Sequence, residues 1–423
     1  MNDAVRPLIL LPSDITGAKS GGIHSVVRDF IKFAPAEFEI EVIGATADRH
    51  AIPLGRWVEV SVGGRTVRYL AVTSAPEGNR RARIPMALRY TTALLAHRHR
   101  FSTAGRIVNF HRAGVPLAFL RDGAPKVQFV HLNVADIYQQ AGESRWRMLP
   151  GAYHRVEDLT LAGMERIYVV NRAGVEFYRR RHQALADRIQ FLSTWFDDSM
   201  FTPLTGDERA RTRAELRRRL DLAPGGRIAL FVGRLEAQKD PVLMVQGFAE
   251  AFRQDPELAL VIVGSGGLID AARRAAEQAG IGQVTRFVGA IPRTEVAGFM
   301  RAADVLLLPS RFEGMPVTVL EALASGMAIA AAPVGEVPAL VEPGVTGALA
   351  SGRTPKDVAR AIVEALAIPR DALEPACAAV AARYRAESVL GPVYEFQRGL
   401  SRRAEPGKDR PKPETPTMSP KSS

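Results

Sequence analysis

The sequence predicts an α/β protein of two domains, each built on a largely parallel sheet. Three observations carry that reading. Short apolar runs, such as those at 8–11 and 305–308, alternate with longer helical stretches along the chain, and strands alternating with helices argue for parallel sheets. The runs are continuous rather than alternately apolar and polar, as in strands buried on both faces. Finally, 423 residues exceed one ordinary domain and leave ample core for two.

Residues 8–11 read as a first buried strand, closed by Pro12-Ser13-Asp14. A glycine-containing loop follows, and a helix is expected over 23–33. Gly21 and Gly22, paired at that helix start, would let a ligand approach the backbone closely; such pairs are also common in plain loops. Further strands are expected at 38–43, 67–71, 107–110 and 126–130, with helices over 84–98 and 114–121. His111 and His131 each stand just past one of these strands, where ligands sit in open α/β sheets. His97, His99, His154 and His182 read as structural or exposed. A helix over 155–162 and a strand over 166–170 lead to the segment 193–203, which reads as the exit from a first domain spanning 1–203.

The second domain, 204–383, opens with a charged helix over 209–220 and the turn-rich Asp221-Leu-Ala-Pro-Gly-Gly226. The strand at 227–232 delivers Gly233 and Arg234, and Lys239 follows five residues later, just before a helix. Arginine grips phosphate oxygens bidentately and lysine adds a point charge. Two solvated loop cations are the plainer alternative. The strand at 258–263 runs into Gly264-Ser-Gly-Gly267 and a helix to Gly280. This is not the dinucleotide fingerprint. Ile269 stands where the third small residue belongs, and no acid ends the next strand at 285–288. NAD is therefore not expected, although close phosphate or ribose approach at Gly264 stays open.

The stretch 303–326 is the centre of the reading. Its strand at 305–308 ends in Pro309-Ser310, a short loop carries Glu313 and Gly314, and a helix is expected from Pro316 to Ser325, stopped by Gly326. Such a helix start offers free backbone N–H groups over Gly314, Met315, Pro316 and Val317, with the positive dipole end behind them. Glu313 lies on the loop, and Glu321 about five residues, or roughly 7–8 Å, along the helix. Each can accept hydrogen bonds from a pair of hydroxyls, which sugars and riboses supply. Taken alone, a solvated loop Glu and a helix-surface Glu would be the plainer reading. Beyond it come strands at 328–332 and 345–349 and helices at 356–366 and 372–383. A terminal helix over about 384–400 is expected to pack back on the first domain. The Pro/Lys/Ser/Thr-rich tail, 401–423, is expected to be disordered.

Composition narrows the class. Hydrophobic residues make up 47% and charged residues 24%, as in a soluble globular protein. The single cysteine, Cys377, excludes an internal disulfide and a thiolate-cluster metal site, and points to a reducing compartment. No signal-peptide pattern opens the chain and no apolar run reaches the roughly 18 residues of a membrane span, so a cytoplasmic protein is expected. The net charge of +11 is uneven: residues 1–205 hold 27 Lys/Arg against 19 Asp/Glu, whereas 206–400 hold 23 of each. A basic first half could meet the anionic inner face of a membrane, an acidic substrate or nucleic acid. No helix-turn-helix, zinc-finger or RNP-type pattern accompanies the charge, so nucleic acid is not expected.

Gly233-Arg234 with Lys239, Gly264-Ser-Gly, Ser310-Arg-Phe-Glu313-Gly-Met-Pro-Val-Thr-Val-Leu-Glu321, Gly335-Glu-Val-Pro and Gly344-Val-Thr-Gly347 together resemble the retaining GT-B glycosyltransferases of the family-4 type. The likeness is strongest over about 225–350. It implies two Rossmann-like domains facing across a cleft, with a nucleotide-sugar donor (UDP- or GDP-linked) mainly on the second and a glycan or lipid-linked acceptor on the first. It further implies that Arg234 and Lys239 neutralise the donor diphosphate in place of a metal, with no cofactor. Glu313 and the helix start at Gly314 to Val317 would engage the donor sugar, and Glu321 the ribose. Gly21 and Gly22 would approach the phosphates, and His131 would lie near the reacting carbon. Members usually carry Asn-Gly where this chain has Thr194-Trp195. A nucleotide-sugar epimerase and a non-catalytic sugar-nucleotide binder are the alternatives on the same architecture.

Overall fold

A computed structural model describes residues 4–16, 22–75, 86–112, 115–131 and 150–404. In the first half, strands β1 (Pro7–Leu10), β2 (Glu41–Thr46), β3 (Trp57–Val62), β4 (Arg65–Ser74), β5 (Ile107–Phe110), β6 (Lys126–Val130), β7 (Arg166–Val169) and β8 (Ile189–Phe191) form one sheet. Its order is β3-β4-β2-β1-β5-β6-β7-β8. Helices α1 (Gly22–Lys32), α2 (Met86–Ala96), α3 (Pro150–Leu161) and α4 (Arg172–Arg181) belong to the same half. All its pairings are parallel except β3 with β4.

The strand expected at 67–71 is the middle of β4, and the antiparallel strand β3 beside it adds to that expectation. Gly63 and Gly64 take φ of 61° and 83°, the left-handed conformation that a two-residue hairpin turn requires of both central residues. The signal was present: Trp57-Val-Glu-Val-Ser-Val62 alternates in polarity up to that glycine pair. Two other expectations shift. Strand β2 starts at Glu41 rather than at 38, because Phe38 makes only an isolated bridge to Val5 and is buried. In place of a helix over 114–121 there is a short 3₁₀ turn, Val115–Phe119, and Pro116 inside it has no N–H to continue a helix.

The second half carries α5 (Gly206–Arg219), β9 (Ile228–Val232), α6 (Pro241–Phe252), β10 (Ala259–Val263), α7 (Ile269–Gln278), β11 (Thr285–Gly289), α8 (Arg293–Ala302), β12 (Val305–Leu308), α9 (Val317–Ala324), β13 (Ala328–Ala331), α10 (Val337–Leu340), β14 (Gly347–Leu349), α11 (Pro355–Leu366) and α12 (Arg370–Ala382). Its sheet runs β11-β10-β9-β12-β13-β14, parallel throughout. Val305 to Leu308 are each at most 1% exposed, as a central strand covered on both faces requires.

The chain then returns. Phe196 bridges to Arg385, and α13 (Ala386–Ala404) packs Leu390, Val393 and Tyr394 into the core beneath α1 and the first sheet. The Tyr394 hydroxyl donates to the Phe30 carbonyl at 2.8 Å, and Gln397 Nε2 donates to Asn109 Oδ1 on β5 at 2.8 Å. Helix α13 extends past residue 400, so 401–404 are helical rather than tail; 405–423 lie outside the described residues. In each sheet the strand order reverses beside the first strand, at β1 between β2 and β5 and at β9 between β10 and β12. The loops after β1, β5, β9 and β12 therefore flank the two switch points, where open α/β sheets bind ligands.

Candidate active site

The loop after β9 is zipped to the loop after β12. The Arg311 N–H donates to the Gln238 carbonyl at 2.8 Å, and Gln238 Nε2 donates to the Phe312 carbonyl at 3.1 Å. Asp240, at φ 47°, closes the first loop and takes Arg311 and Arg353 at 3.0 and 2.7 Å. Held this way, Lys239 Nζ meets Glu313 Oε1 at 2.5 Å, with side chains 15% and 7% exposed. Glu313 is thus a buried partner of Lys239, not a solvated loop carboxylate. Arg234 is not brought to this pair: its side chain is 60% exposed and holds Glu236 at 2.6 Å.

The glycines of these loops serve the loops themselves. A Cβ on Gly264, at φ 138°, would stand 1.8 Å from the Gly233 carbonyl oxygen, and one on Gly266 2.4 Å from the Leu235 carbonyl oxygen. At Gly264 the neighbouring backbone makes a close approach of its own. Gly335 does the same for the loop that carries Glu313, since a Cβ there would lie 2.1 Å from the Glu313 carbonyl oxygen, and the Glu336 N–H bonds the Gly314 carbonyl at 3.0 Å.

Helix α9 starts at Val317 with Pro316 as its cap. Proline carries no N–H, which corrects the expectation of donors all along Gly314 to Val317. Met315 is buried, and its carbonyl accepts from Thr194 Oγ1 of the domain connection at 3.4 Å. Gly314 faces the first domain: a Cβ on it would stand 3.8 Å from the His131 carbonyl oxygen and 3.7 Å from Val170. Two hydroxyls beside this tip, Ser310 Oγ and Thr318 Oγ1, are buried with no hydrogen-bond partner in the protein. Leaving such a group unmet costs about 1–3 kcal/mol, so they mark a place suited to a polar ligand.

One turn deeper, Glu321 is buried rather than on the helix surface. Arg293, the first residue of α8, donates from Nε to Glu321 Oε1 at 2.9 Å and from Nη1 to both Asp29 oxygens at 3.0 Å. Asp29 sits on α1, so this clasp joins the domains. Burial raises the Glu321 carboxyl to about 7 against the pull of Arg293, and burial also raises Asp29. Burial opposes the Arg293 charge too, but Glu321 and Asp29 outweigh it and keep the guanidinium ionised. One cation thus faces two carboxylates, and burial makes both easier to protonate. Nothing in the sequence announced the arrangement, whose partners on either side of the cleft are 264 positions apart.

On the first domain, adjacent strands β5 and β6 deliver His111 and His131 together, Nδ1 to Nε2 at 2.9 Å, with the rings stacked 5.2 Å apart. Burial lowers His131 to about 4, helped by the nearby Arg112 charge, and holds His111 well below its usual value. Both rings are neutral at pH 7, so one donates to the other. Gly22 opens α1, where His24 Nε2 is buried without a partner; Gly21 lies outside the described residues. Among the described residues no group of three or more His, Cys, Asp or Glu is placed to hold a metal.

Residues 212–379 match the family described as glycosyl transferases group 1. The second domain is a group 1 glycosyltransferase domain. Over 191 residues the chain is 34% identical to a D-inositol 3-phosphate glycosyltransferase of Corynebacterium glutamicum (strain R), which covers 44% of this chain and 45% of that one; the match spans less than half of that relative's length. The whole architecture is similar to sucrose-phosphate synthase from Thermosynechococcus elongatus, with TM-score 0.70, 21% identity and coverage of 94% and 98%. It is likewise similar to Anabaena Alr3699/HepE in complex with UDP-glucose, with TM-score 0.68, 15% identity and coverage of 93% and 99%. At these identities the likeness is one of fold, and that fold is GT-B.

Proposed function

We propose that the protein is a retaining, metal-independent glycosyltransferase of the hexosyl type. It moves a sugar from a UDP- or GDP-linked donor to a glycan, a lipid-linked acceptor or a polysaccharide precursor. The observation that carries this reading is the buried Lys239–Glu313 pair at the tip of α9, 2.5 Å apart and facing the first domain through Gly314. Negative charge builds on the donor diphosphate as the glycosidic bond breaks, so a cation fixed there stabilises the transition state more than the ground state. Lys239 supplies that cation, Glu313 turns to the sugar hydroxyls, and Ser310 and Thr318 offer unmet hydroxyls beside them. Arg234, exposed on its loop and paired with Glu236, leaves that partner to reach the phosphates. Glu321 takes the ribose hydroxyls while Arg293 holds it. His131 lies across from Gly314 beside the reacting carbon. Attack on the face the phosphate leaves, with that phosphate taking the acceptor proton, retains the anomeric configuration.

The test is product analysis with UDP- and GDP-sugars, with and without candidate acceptors, the relative's name placing inositol phosphate among those to try. Acceptor-dependent product of unchanged anomeric configuration, formed at full rate in the presence of a chelator, is expected. An isomerised nucleotide-sugar formed without acceptor would make the protein an epimerase. Replacing Lys239 with Ala should lower kcat by about 10²–10³-fold.

A further inference from the structure

Among the described residues, five of the six large apolar side chains left exposed belong to elements whose buried residues (Tyr90, Leu94, Val115, Phe119 and Leu161) share one core of the first domain. Leu88 and Leu95 are on α2, Leu117 and Leu120 in and just after the 3₁₀ turn, and Leu159 on α3, with exposures from 37% to 61%. Leu88 and Leu95 are two helical turns apart and share a side of α2, whose other side buries Tyr90 and Leu94. The turn packs against both α2 and α3, so the five leucines belong to adjoining elements. Single exposed leucines need no explanation, but several on elements that pack together point to an interaction surface.

Charge selects the partner. The described residues 86–112 and 115–121 contain six arginines and no Asp or Glu, and two of the six, Arg98 and Arg106, are paired with Asp122 and Glu41. Of these, Arg100 and Arg121 are exposed, and Arg155, one turn before Leu159 on α3, adds a further exposed cation. A second copy of the chain would set arginine against arginine across this face. A surface of anionic lipid offers phosphates to the arginines and an apolar boundary to the leucines.

We propose that this face, built from α2, the 115–119 turn and α3, docks the protein peripherally on an anionic bilayer. No helix among the described residues is long and apolar enough to cross a membrane, which suits contact from one side. The inference does not rest on the sugar-transfer reading and would stand for a binder as well as for an enzyme.

The full chain is sedimented with vesicles of phosphatidylcholine alone or mixed with phosphatidylglycerol, at low and physiological salt. Binding to the anionic vesicles, little to the neutral ones, and release by salt are expected. The triple variant Leu88→Ser, Leu95→Ser, Leu159→Ser should partition about tenfold less, and Arg100→Ser with Arg121→Ser should bind more weakly with a shallower salt dependence. Unfolding temperature, checked for each variant, should match the parent. The proposal is overturned if the parent stays in the supernatant with anionic vesicles at low salt, or if the folded leucine variant binds as well as the parent. A parent dimer that the leucine substitutions make monomeric would also overturn it.

Discussion

Removing the Lys239 ammonium leaves the Glu313 carboxylate buried without a counter-charge. Lys239→Ala should therefore cost stability as well as turnover, on the order of 1–3 kcal/mol, read as a lower unfolding temperature. Glu321 makes a different prediction. Its folded pKa of about 7 lies above its ordinary 4.5, so between those values the folded chain holds a proton that the unfolded chain does not. Its stabilising contribution is complete below pH 4.5 and is lost as pH rises to 7. Denaturant titrations across that window should show a flatter pH dependence for Glu321→Gln than for the parent. His131 runs the other way: with a folded pKa of about 4 against an ordinary 6.5, its contribution is present above 6.5 and lost as pH falls to 4. His131→Asn should make that acid-side slope shallower, with the remainder coming from the neighbouring buried His111. The chemical residue types of Glu313, Glu321 and Lys239 were legible because strand, loop and helix signals placed them on one end of a sheet. The Arg293 clasp was not, because an ion pair between distant helices leaves no local pattern.

The strand–loop–helix unit around β12 and α9 was readable because its marks are local: a four-residue apolar run, a proline at the helix start and Gly326 at its end, where φ is 70°. The direction of Arg234 was not readable, since the turns of its loop, not its spacing from Lys239, aim it at Glu236. The apolar content of residues 114–121 points to a helix, but Pro116 has no N–H to continue one, and the segment settles as the 3₁₀ turn Val115–Phe119. At this scale the packed loops can be tested through Gly264. In Gly264→Ala the new methyl must displace the Gly233 carbonyl and adopt a backbone angle costly for any residue with a Cβ. The variant should unfold at a lower temperature and bind donor more weakly, because the loop that moves is the one presenting Lys239. Normal donor affinity in a folded Gly264→Ala protein would detach that loop from the site.

Across the whole molecule, the Arg293–Asp29 and Arg172–Glu336 pairs (3.0 and 2.5 Å) and the double crossing of the chain hold the two sheets' carboxyl ends toward each other. Asp29→Asn removes one carboxylate from the clasp and leaves Arg293 to Glu321 alone. Small-angle scattering should then show a larger radius of gyration without donor and recovery with it, since a ligand gripping both domains shifts the population toward closure. The account turns on whether Lys239, Glu313, Glu321 and the α9 tip hold one nucleotide-sugar. Calorimetric titration of UDP- and GDP-linked sugars into the parent, Lys239→Ala and Glu321→Ala proteins measures this directly. Saturable binding of one nucleotide class to the parent, lost or strongly weakened in both folded variants, is the predicted result. Absence of binding by every such sugar, or parent-like affinity in both variants, would contradict it.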